Sequence, residues 1–218
     1  MLIYLYTISN LMTIQAEKKL WRQGYKIIVG IDEAGRGPLA GPVVAGAVAI
    51  IDKKINKNIF SLIKDSKKLS EKQREKAYQA ILEQSWLAFG VGKVSEKIID
   101  KINIFEATKL AMIKAVANLE KKIKISPDYL ILDGNQKINL PIKQQAIVKA
   151  DAKIFSCSAS SIVAKVTRDR LMCQFDKKYP IYGFAKHKGY GTKDHIRAIK
   201  KNGPCFIHRF SFAPIKDA

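Results

Sequence analysis

A short apolar run, followed at once by two carboxylates and a glycine-flanked arginine, is the feature that most limits how this chain can fold. The run covers residues 27–31, and Asp32, Glu33 and a turn at 35–37 follow it. Such a run predicts a buried strand. Because neighbouring strand residues face opposite sides, Asp32 and Glu33 can reach one point only where the strand ends. Two acids beside a basic, glycine-opened turn indicate a metal ion next to a phosphate.

Carboxylates also follow two later apolar runs. Residues 129–132 are followed directly by Asp133, and residues 145–149 are followed by Asp151 after one alanine. Both runs predict buried strands. In sheets with helical crossovers, sites gather at the carboxyl ends of the strands, where the loops diverge. We therefore expect Asp133 and Asp151 to converge with the first pair of acids.

The rest of the chain alternates between predicted strands and helices. The first strand (residues 26–32) and strands over 43–51 and 86–94 are expected to form an antiparallel meander. Small residues inside the second strand predict the close approach of a helix or a ligand. The patterns predict helices over residues 13–24, 71–82, 156–178 and 194–201, and one between Asn103 and Pro127.

The charge balance favours a polyanionic partner. The chain has 39 Lys and Arg residues against 19 Asp and Glu residues, a formal net charge of +20. This excess favours nucleic acid before a membrane surface. A generally lysine-rich proteome would give the same balance, so charge supports nucleic acid without bearing on catalysis.

The four strand-end acids have two interpretations. They could be ion-pair partners of the abundant lysines, or they could bind metal ions. Clustered carboxylates raise each other's pKa unless a cation lies among them, and hard oxygen ligands suit Mg²⁺ or Mn²⁺ rather than zinc. Two such ions can activate a water and stabilise the leaving oxygen of a phosphodiester. A glycosidase needs only two carboxylates and no phosphate-binding turn.

Two loops have a functional and a structural interpretation. Residues 65–68 either approach the cap of the helix predicted at Glu71 or contact a phosphate, and the pattern slightly favours the cap. Residues 183–192 interleave glycine, lysine and aromatic residues. They are either a basic loop with rings that stack on sugars or bases, or a surface loop with a partly buried tyrosine. His195 and His208 are predicted to lie at the surface.

Six motifs, in order, resemble those of bacterial ribonuclease HII, a type 2 ribonuclease H. The first is GIDEAGRGPLAGP at residues 30–42, and the second is DSKKLS at 65–70. The later motifs lie at residues 132–135, 149–153, 164–170 and 183–192. The resemblance extends over residues 17 to 214, with Ala150 standing where the family usually has glycine.

This resemblance implies an α/β, ribonuclease-H-like fold: a central five-stranded mixed sheet flanked by helices, with a helical C-terminal part. It implies an endonuclease that cuts the RNA strand of RNA–DNA hybrids and nicks 5′ to a single ribonucleotide in duplex DNA, leaving 3′-hydroxyl and 5′-phosphate ends. The cofactor would be Mg²⁺ or Mn²⁺. We divide the chain into an N-terminal extension with a short helix (1–25), a catalytic domain (26–180) and a substrate-binding segment (181–218).

The resemblance also assigns site residues. The catalytic and metal-binding acids would be Asp32, Glu33, Asp133 and Asp151. The glycine-flanked turn would sense the ribose 2′-hydroxyl, Tyr190 would stack on the sugar at the junction, and His187 would contact the substrate backbone. Phosphates would be held by Lys67 and the polar start of the helix that begins at residue 156. The implied substrate-binding residues are Gly35, Arg36, Gly37, Lys67, Ser160, Lys165, Arg168, His187 and Tyr190.

Two alternative functions stay open. The first is a nucleic-acid-binding protein that keeps the fold without cleaving, and the second is the sister enzyme ribonuclease HIII, which differs at the glycine-flanked turn.

Three cysteines without a C-x-x-C pair predict no zinc site and a reducing cytoplasm. The apolar start is too short to span a bilayer. Residues 1–11 are expected to be a dispensable extension or a start-site artefact, with Met12 as the alternative start. We expect a monomer without a membrane partner.

Overall fold

A computed structural model describes residues 13–217, and a mixed sheet lies at its centre. The strand order is β3-β2-β1-β4-β5, with β1–β2–β3 antiparallel and β1, β4 and β5 parallel. This arrangement confirms the predicted α/β fold with a five-stranded mixed sheet, and it contains the predicted meander. The strands are β1 (Ile28–Ala34), β2 (Val43–Ile50), β3 (Leu87–Val94), β4 (Tyr129–Asp133) and β5 (Lys143–Ile147).

Six helices and four short 3-10 turns surround the sheet within residues 13–217. The helices are α1 (Gln15–Arg22), α2 (Glu71–Leu82), α3 (Glu96–Ile123), α4 (Phe155–Lys178), α5 (Phe184–His187) and α6 (Lys193–Asn202). The 3-10 turns are Lys57–Ser61, Ala150–Ala152, Pro180–Tyr182 and Ile215–Asp217. None of the helices in residues 13–217 has the length and apolar character that a bilayer crossing requires. The predicted extension over residues 1–11 lies outside the described residues.

The two longest helices cover opposite faces of the sheet. Successive side chains of β2 point to opposite faces of the sheet. Ala45 and Ala47 pack in the core beneath α3, whereas Val48 packs in the core beneath α4. The sheet is therefore buried on both faces, and functional side chains can reach solvent only at its edges and strand ends.

Helix α4 lies unusually close to the sheet because glycines face it. A β-carbon on Gly46 would lie 2.4 Å from the carbonyl oxygen of Ser160, and one on Gly30 would lie 2.3 Å from the carbonyl carbon of Ser156. Both distances are shorter than any normal contact. The small residues predicted to allow a close neighbour thus admit a helix backbone.

Three boundaries differ from the sequence predictions. Strand β1 continues to Ala34, so Glu33 lies within the strand and not after it. Strand β5 runs from Lys143 to Ile147, and Asp151 lies on the following 3-10 turn. Helix α3 begins at Glu96 and is kinked at Asn103, which has a φ of 65°. The predicted cap is nevertheless present there, since Asn103 Oδ1 accepts hydrogen bonds from the N–H groups of Phe105 and Glu106.

The C-terminal residues are joined closely to the loop between β1 and β2. The N–H of Gly41 donates to the carbonyl of Ile207 at 2.8 Å, and the N–H of Arg209 donates to the carbonyl of Leu39 at 2.9 Å. Leu39 shares a buried cluster with Met172 of α4 and with side chains of the segment after α4. This packing places the segment beside the glycine-flanked turn.

Candidate metal and nucleic-acid site

Three aspartates meet at the carboxyl ends of the parallel strands. One carboxylate oxygen from each of Asp32, Asp133 and Asp151 lies within 4.8 Å of the others. Asp32 comes from β1, Asp133 from the end of β4, and Asp151 from the 3-10 turn after β5. The predicted convergence of strand-end acids is therefore present in the fold for these three.

Local hydrogen bonds fix the acids in place. Asp133 Oδ1 accepts a hydrogen bond of 2.6 Å from the N–H of Ala150, which ties the end of β4 to the turn that carries Asp151. Lys149, just before that turn, has a left-handed φ of 60°. Asp32 Oδ1 accepts a hydrogen bond of 2.8 Å from the N–H of Glu33. These contacts orient the carboxylates of Asp32 and Asp133.

The electrostatics of this group favour a bound cation. Burial, followed by the charge of Glu33, raises the pKa of Asp32 well above its usual value, although a hydrogen bond from Ser161 opposes this. Burial and the charge of Asp151 also raise the pKa of Asp133. A divalent cation with hard oxygen preferences would relieve this repulsion. The donor set therefore fits Mg²⁺ or Mn²⁺, and Asp32, Asp133 and Asp151 would hold it.

Lys67 supplies a positive charge at the edge of the acidic group. Its Nζ lies 3.0 Å from Asp151 Oδ2. Burial lowers the pKa of Lys67, but the hydrogen bond to Asp151 and the charges of the acids outweigh that effect and raise it. The loop at residues 65–68 thus reaches the acids as well as preceding the helix cap at Ser70.

Glu33 takes a different position from the three aspartates. Its carboxylate lies 3.3 Å from the guanidinium of Arg36, and burial raises its pKa although Arg36 lowers it. Glu33 nevertheless lines the same cleft as Asp32 and Asp133. The predicted site residues that line this cleft are Asp32, Glu33, Gly35, Arg36, Gly37, Lys67, Asp133, Lys165 and Tyr190.

Tyr190 lines the same cleft beside the glycine-flanked turn. Its Cε1 lies 3.9 Å from the position that a β-carbon on Gly37 would occupy. The residue is 46% exposed, so the ring is accessible to a ligand. Lys165 also lines the cleft, where its Nζ donates to Asp169 at 2.8 Å.

Two serines of the cleft were not among the predicted site residues. Ser66 and Ser161 are joined by a hydrogen bond of 2.8 Å between their hydroxyl oxygens, and Ser161 lowers the pKa of Asp32. Both lie within segments whose polar character is visible in the sequence. Their pairing links the loop before α2 to α4, a contact across 95 positions that no local pattern indicates.

Three predicted substrate-binding residues are instead buried. Ser160 has no exposed surface, and its hydroxyl donates to the carbonyl of Cys157 at 2.8 Å. Arg168 is fully buried and donates to backbone carbonyls. His187 is 9% exposed and bonds to the carbonyl of Tyr182. Their side chains support the fold behind the cleft, because each polar group is already paired inside the protein.

Arg168 and a second buried arginine, Arg209, hold the loop after β1. Arg168 donates to the carbonyl oxygens of Ala40, Pro42 and Lys188. Arg209 donates to those of Gly35, Arg36 and Gly41. Burial lowers the pKa of Arg168 to about 10 and that of Arg209 to about 9. Arg209 was not predicted as a site residue.

The predicted surface positions of His195 and His208 are wrong, since neither has any exposed surface. Their Nε2 atoms lie 3.0 Å apart, and His187 stacks on His195 with ring centroids separated by 4.3 Å. The N–H of Cys205 donates to His208 Nδ1, so His208 donates from Nε2 to His195. His195 then donates from Nδ1 to the carbonyl of Tyr190 at 2.9 Å.

Glu17 makes a buried contact that was not predicted from the sequence. Its carboxylate accepts a hydrogen bond of 2.9 Å from the N–H of Ser156 in the first turn of α4. Burial raises the pKa of Glu17, while the contacts with Ser156 lower it. One of its oxygens, Oε2, has no hydrogen-bond partner within residues 13–217. In the sequence Glu17 is one acid in a lysine-rich helix, which gives no signal of this role.

A family model and several curated relatives match most of this chain. The family model described as "Ribonuclease HII" matches residues 29–215. A ribonuclease HII of Acetivibrio thermocellus is 54% identical over 197 residues, covering 90% of this chain and 73% of that protein. A ribonuclease HII of Caldicellulosiruptor bescii is 50% identical over 198 residues, covering 91% of this chain and 92% of that protein.

A solved structure has the same fold. The crystal structure of ribonuclease H2 from Pyrococcus horikoshii OT3 has a TM-score of 0.70 and 29% identity, covering 88% of this chain and 96% of that one. The sequence identity to these two relatives is about 50% over most of the chain. The chain therefore belongs to the ribonuclease HII family, and it is a metal-dependent endoribonuclease that acts on the RNA of RNA–DNA hybrids.

Proposed function

We propose that this enzyme also nicks duplex DNA 5′ to a single embedded ribonucleotide, and that two divalent cations, Mg²⁺ or Mn²⁺, take part in the hydrolysis. The products would carry 3′-hydroxyl and 5′-phosphate ends. The observation that supports this most is the juxtaposition of Tyr190 with Gly37 in the cleft that contains Asp32 and Asp133. A ring and a backbone turn beside the acids suit the recognition of one sugar rather than of a base sequence.

The positions of the acids support the following roles. Asp32, Asp133 and Asp151 would hold the cations, and Glu33 would add a carboxylate at the same cleft. When bound, such cations activate a water and stabilise the leaving oxygen of a phosphodiester. Lys67, whose side chain is 75% exposed and whose Nζ lies 3.0 Å from Asp151, would also contact the scissile phosphate.

Recognition of the ribose is assigned to the turn. Only the 2′-hydroxyl distinguishes RNA from DNA at one position. Gly35, Arg36 and Gly37 read that group through backbone N–H groups, and Tyr190 stacks on the sugar at the junction. Lys165 adds positive charge at the same cleft. None of these contacts depends on base identity.

The remaining contacts are sequence-independent. A net charge of +20 supports binding through phosphates of an RNA–DNA hybrid or a ribonucleotide-containing duplex, and affinity should fall steeply with salt. We infer that residues 26–180 carry the chemistry and that 181–218 help to bind substrate. We also infer a monomer in the cytoplasm, where the three unpaired cysteines would stay reduced.

Asp133→Asn tests the metal assignment. It should abolish nicking of a one-ribonucleotide duplex in Mg²⁺, a loss of at least about 100-fold, while binding of the duplex survives. Asp52→Asn, in the loop after β2, is the matched control and should leave nicking unchanged. Undiminished nicking by Asp133→Asn would refute the metal assignment. Failure of the wild type on the single ribonucleotide, with retained cleavage of a long hybrid, would favour an activity of the ribonuclease HIII kind.

A further inference from the structure

The guanidinium of Arg209 is enclosed behind the glycine-flanked turn. It has no exposed surface, and it donates to the carbonyl oxygens of Gly35 at 2.6 Å, Arg36 at 2.8 Å and Gly41 at 3.0 Å. Within residues 13–217, no carboxylate forms an ion pair with it. All three of its nitrogen groups are therefore used on backbone carbonyls.

These hydrogen bonds fix the direction of two N–H groups. In a trans peptide the carbonyl and the following N–H point in opposite directions. Because the carbonyls of Gly35 and Arg36 point to Arg209, the N–H groups of Arg36 and Gly37 point away from it. Neither N–H has an acceptor among the described residues. The same turn residues line the cleft, whereas Arg209 does not.

The segment that carries Arg209 is itself anchored. Asp100 of α3 accepts hydrogen bonds from the N–H groups of Phe210 and Ser211 and from the Ser211 hydroxyl, at 2.9, 3.0 and 2.6 Å. The ring of Phe212 lies 5.0 Å from the guanidinium carbon. These contacts hold the segment that carries Arg209 against α3.

Arg168 has a different role although it is equally buried. It reaches the carbonyls of Ala40, Pro42 and Lys188, which come after the turn or belong to the Tyr190 loop. Its side chain also fills the space where a β-carbon on Gly35 would lie, at 2.0 Å. Only Arg209 of the two bonds to carbonyls within the turn.

We propose that Arg209 is the positioning residue for ribose recognition: it orients the peptide groups of the turn so that two N–H donors face the 2′-oxygen of the substrate. This inference rests on the proposed reading of the 2′-hydroxyl by the turn. Arg209 touches no substrate atom and acts through Gly35 and Arg36. Its loss therefore removes discrimination between ribose and deoxyribose, while the carboxylates keep their metal affinity.

The test compares Arg209→Lys and Arg209→Gln with the wild type. Lysine keeps a cation but cannot donate to three carbonyls in a fork, so both variants should lose discrimination. The first readout is kcat/KM on a one-ribonucleotide duplex, and we expect at least a 10-fold fall. The second uses an Asp133→Asn background and measures Kd for the one-ribonucleotide duplex against an all-DNA duplex, where the preference should fall similarly.

Controls separate this role from general destabilisation. Ile81→Ala removes a buried side chain of α2, far along the chain from the turn, and should lower the Tm without changing either readout. Mn²⁺ binding measured by calorimetry should stay unchanged in both arginine variants. A folded Arg209→Lys protein that keeps both readouts within twofold of the wild type would overturn the inference. A wild type that fails to nick the one-ribonucleotide duplex would instead refute the proposed function.

Discussion

The ammonium group of Lys67 lies 3.0 Å from a carboxylate oxygen of Asp151, so a protein cation already touches the group of acids that suits a metal. The ammonium group of Lys67 and a divalent cation bound by the same acids would repel each other. Lys67→Gln should therefore tighten Mn²⁺ binding by roughly three- to tenfold, because a competing positive charge is removed. The same change should lower kcat/KM, because a phosphate contact is lost. Calorimetry and a nicking assay measure the two effects.

Lys68→Gln is the matched control for this experiment. Lys68 is the exposed neighbour of Lys67, and within the described residues it forms no ion pair. We expect it to leave the Kd for Mn²⁺ unchanged. Weaker Mn²⁺ binding in Lys67→Gln than in Lys68→Gln would show that Lys67 assists the metal site and does not compete with it.

Tyr190→Ala should impair the one-ribonucleotide junction more than continuous RNA. The ring lies against Gly37 and offers a face to one sugar, whereas a continuous hybrid offers further ribose contacts. Loss of one stacking contact corresponds to about 1–3 kcal/mol, or roughly 5- to 150-fold in kcat/KM on the junction. Tyr190→Phe keeps the ring and should retain most activity. Equal losses on both substrates would count against a junction-sensing role.

Acid should destabilise the protein through His195. Burial lowers the pKa of His195 from 6.5 to about 4, so the unfolded chain takes up the proton first as the pH falls. The free energy of unfolding should therefore decrease between pH 6.5 and 4 through this residue. Acids with a raised pKa, such as Glu17, act in the opposite direction, so the informative quantity is the difference between wild type and variant.

His195→Asn isolates that contribution. Urea unfolding at several pH values should give a shallower loss for the variant than for the wild type across this range. The variant should also be less stable at pH 7, because the hydrogen bonds to Tyr190 and His208 are lost. Parallel curves for the two proteins would contradict the assignment of a neutral, buried His195.

Glu17→Ala should reduce stability. The carboxylate accepts the Ser156 N–H in the first turn of α4, and both residues are fully buried, so the variant leaves a buried donor without its acceptor. An unsatisfied buried N–H costs about 1–3 kcal/mol. Glu17→Gln keeps an acceptor oxygen and should lose much less. Urea midpoints that are equal for the two variants would argue against a capping role.

The parts of the site that lie next to strand ends could be predicted from the sequence. Apolar runs followed by acids placed Asp32, Asp133 and Asp151 correctly at one edge, because parallel strands align their carboxyl ends. The glycine-flanked turn and Tyr190 came from the resemblance. The sheet brings them into one cleft with the acids.

The buried polar residues could not be predicted because their partners are distant in the chain. The start of α4 is rich in serine and looks exposed, yet Ser160 is buried because glycines in β1 and β2 let the helix lie against the sheet. Arg168 bonds to carbonyls 126 and 128 positions away. His195 and His208 satisfy each other, so neither needs solvent. Local patterns carry no signal of such pairings.

The hydrogen bond between Arg209 and Gly35 joins residues 174 positions apart, and it has a consequence for the newly made enzyme. Ribosomes make the turn long before they make its support, and domains generally fold as units. The turn can therefore take its supported form only after translation has passed residue 209. On the proposed role, selectivity for ribonucleotides would depend on that late segment.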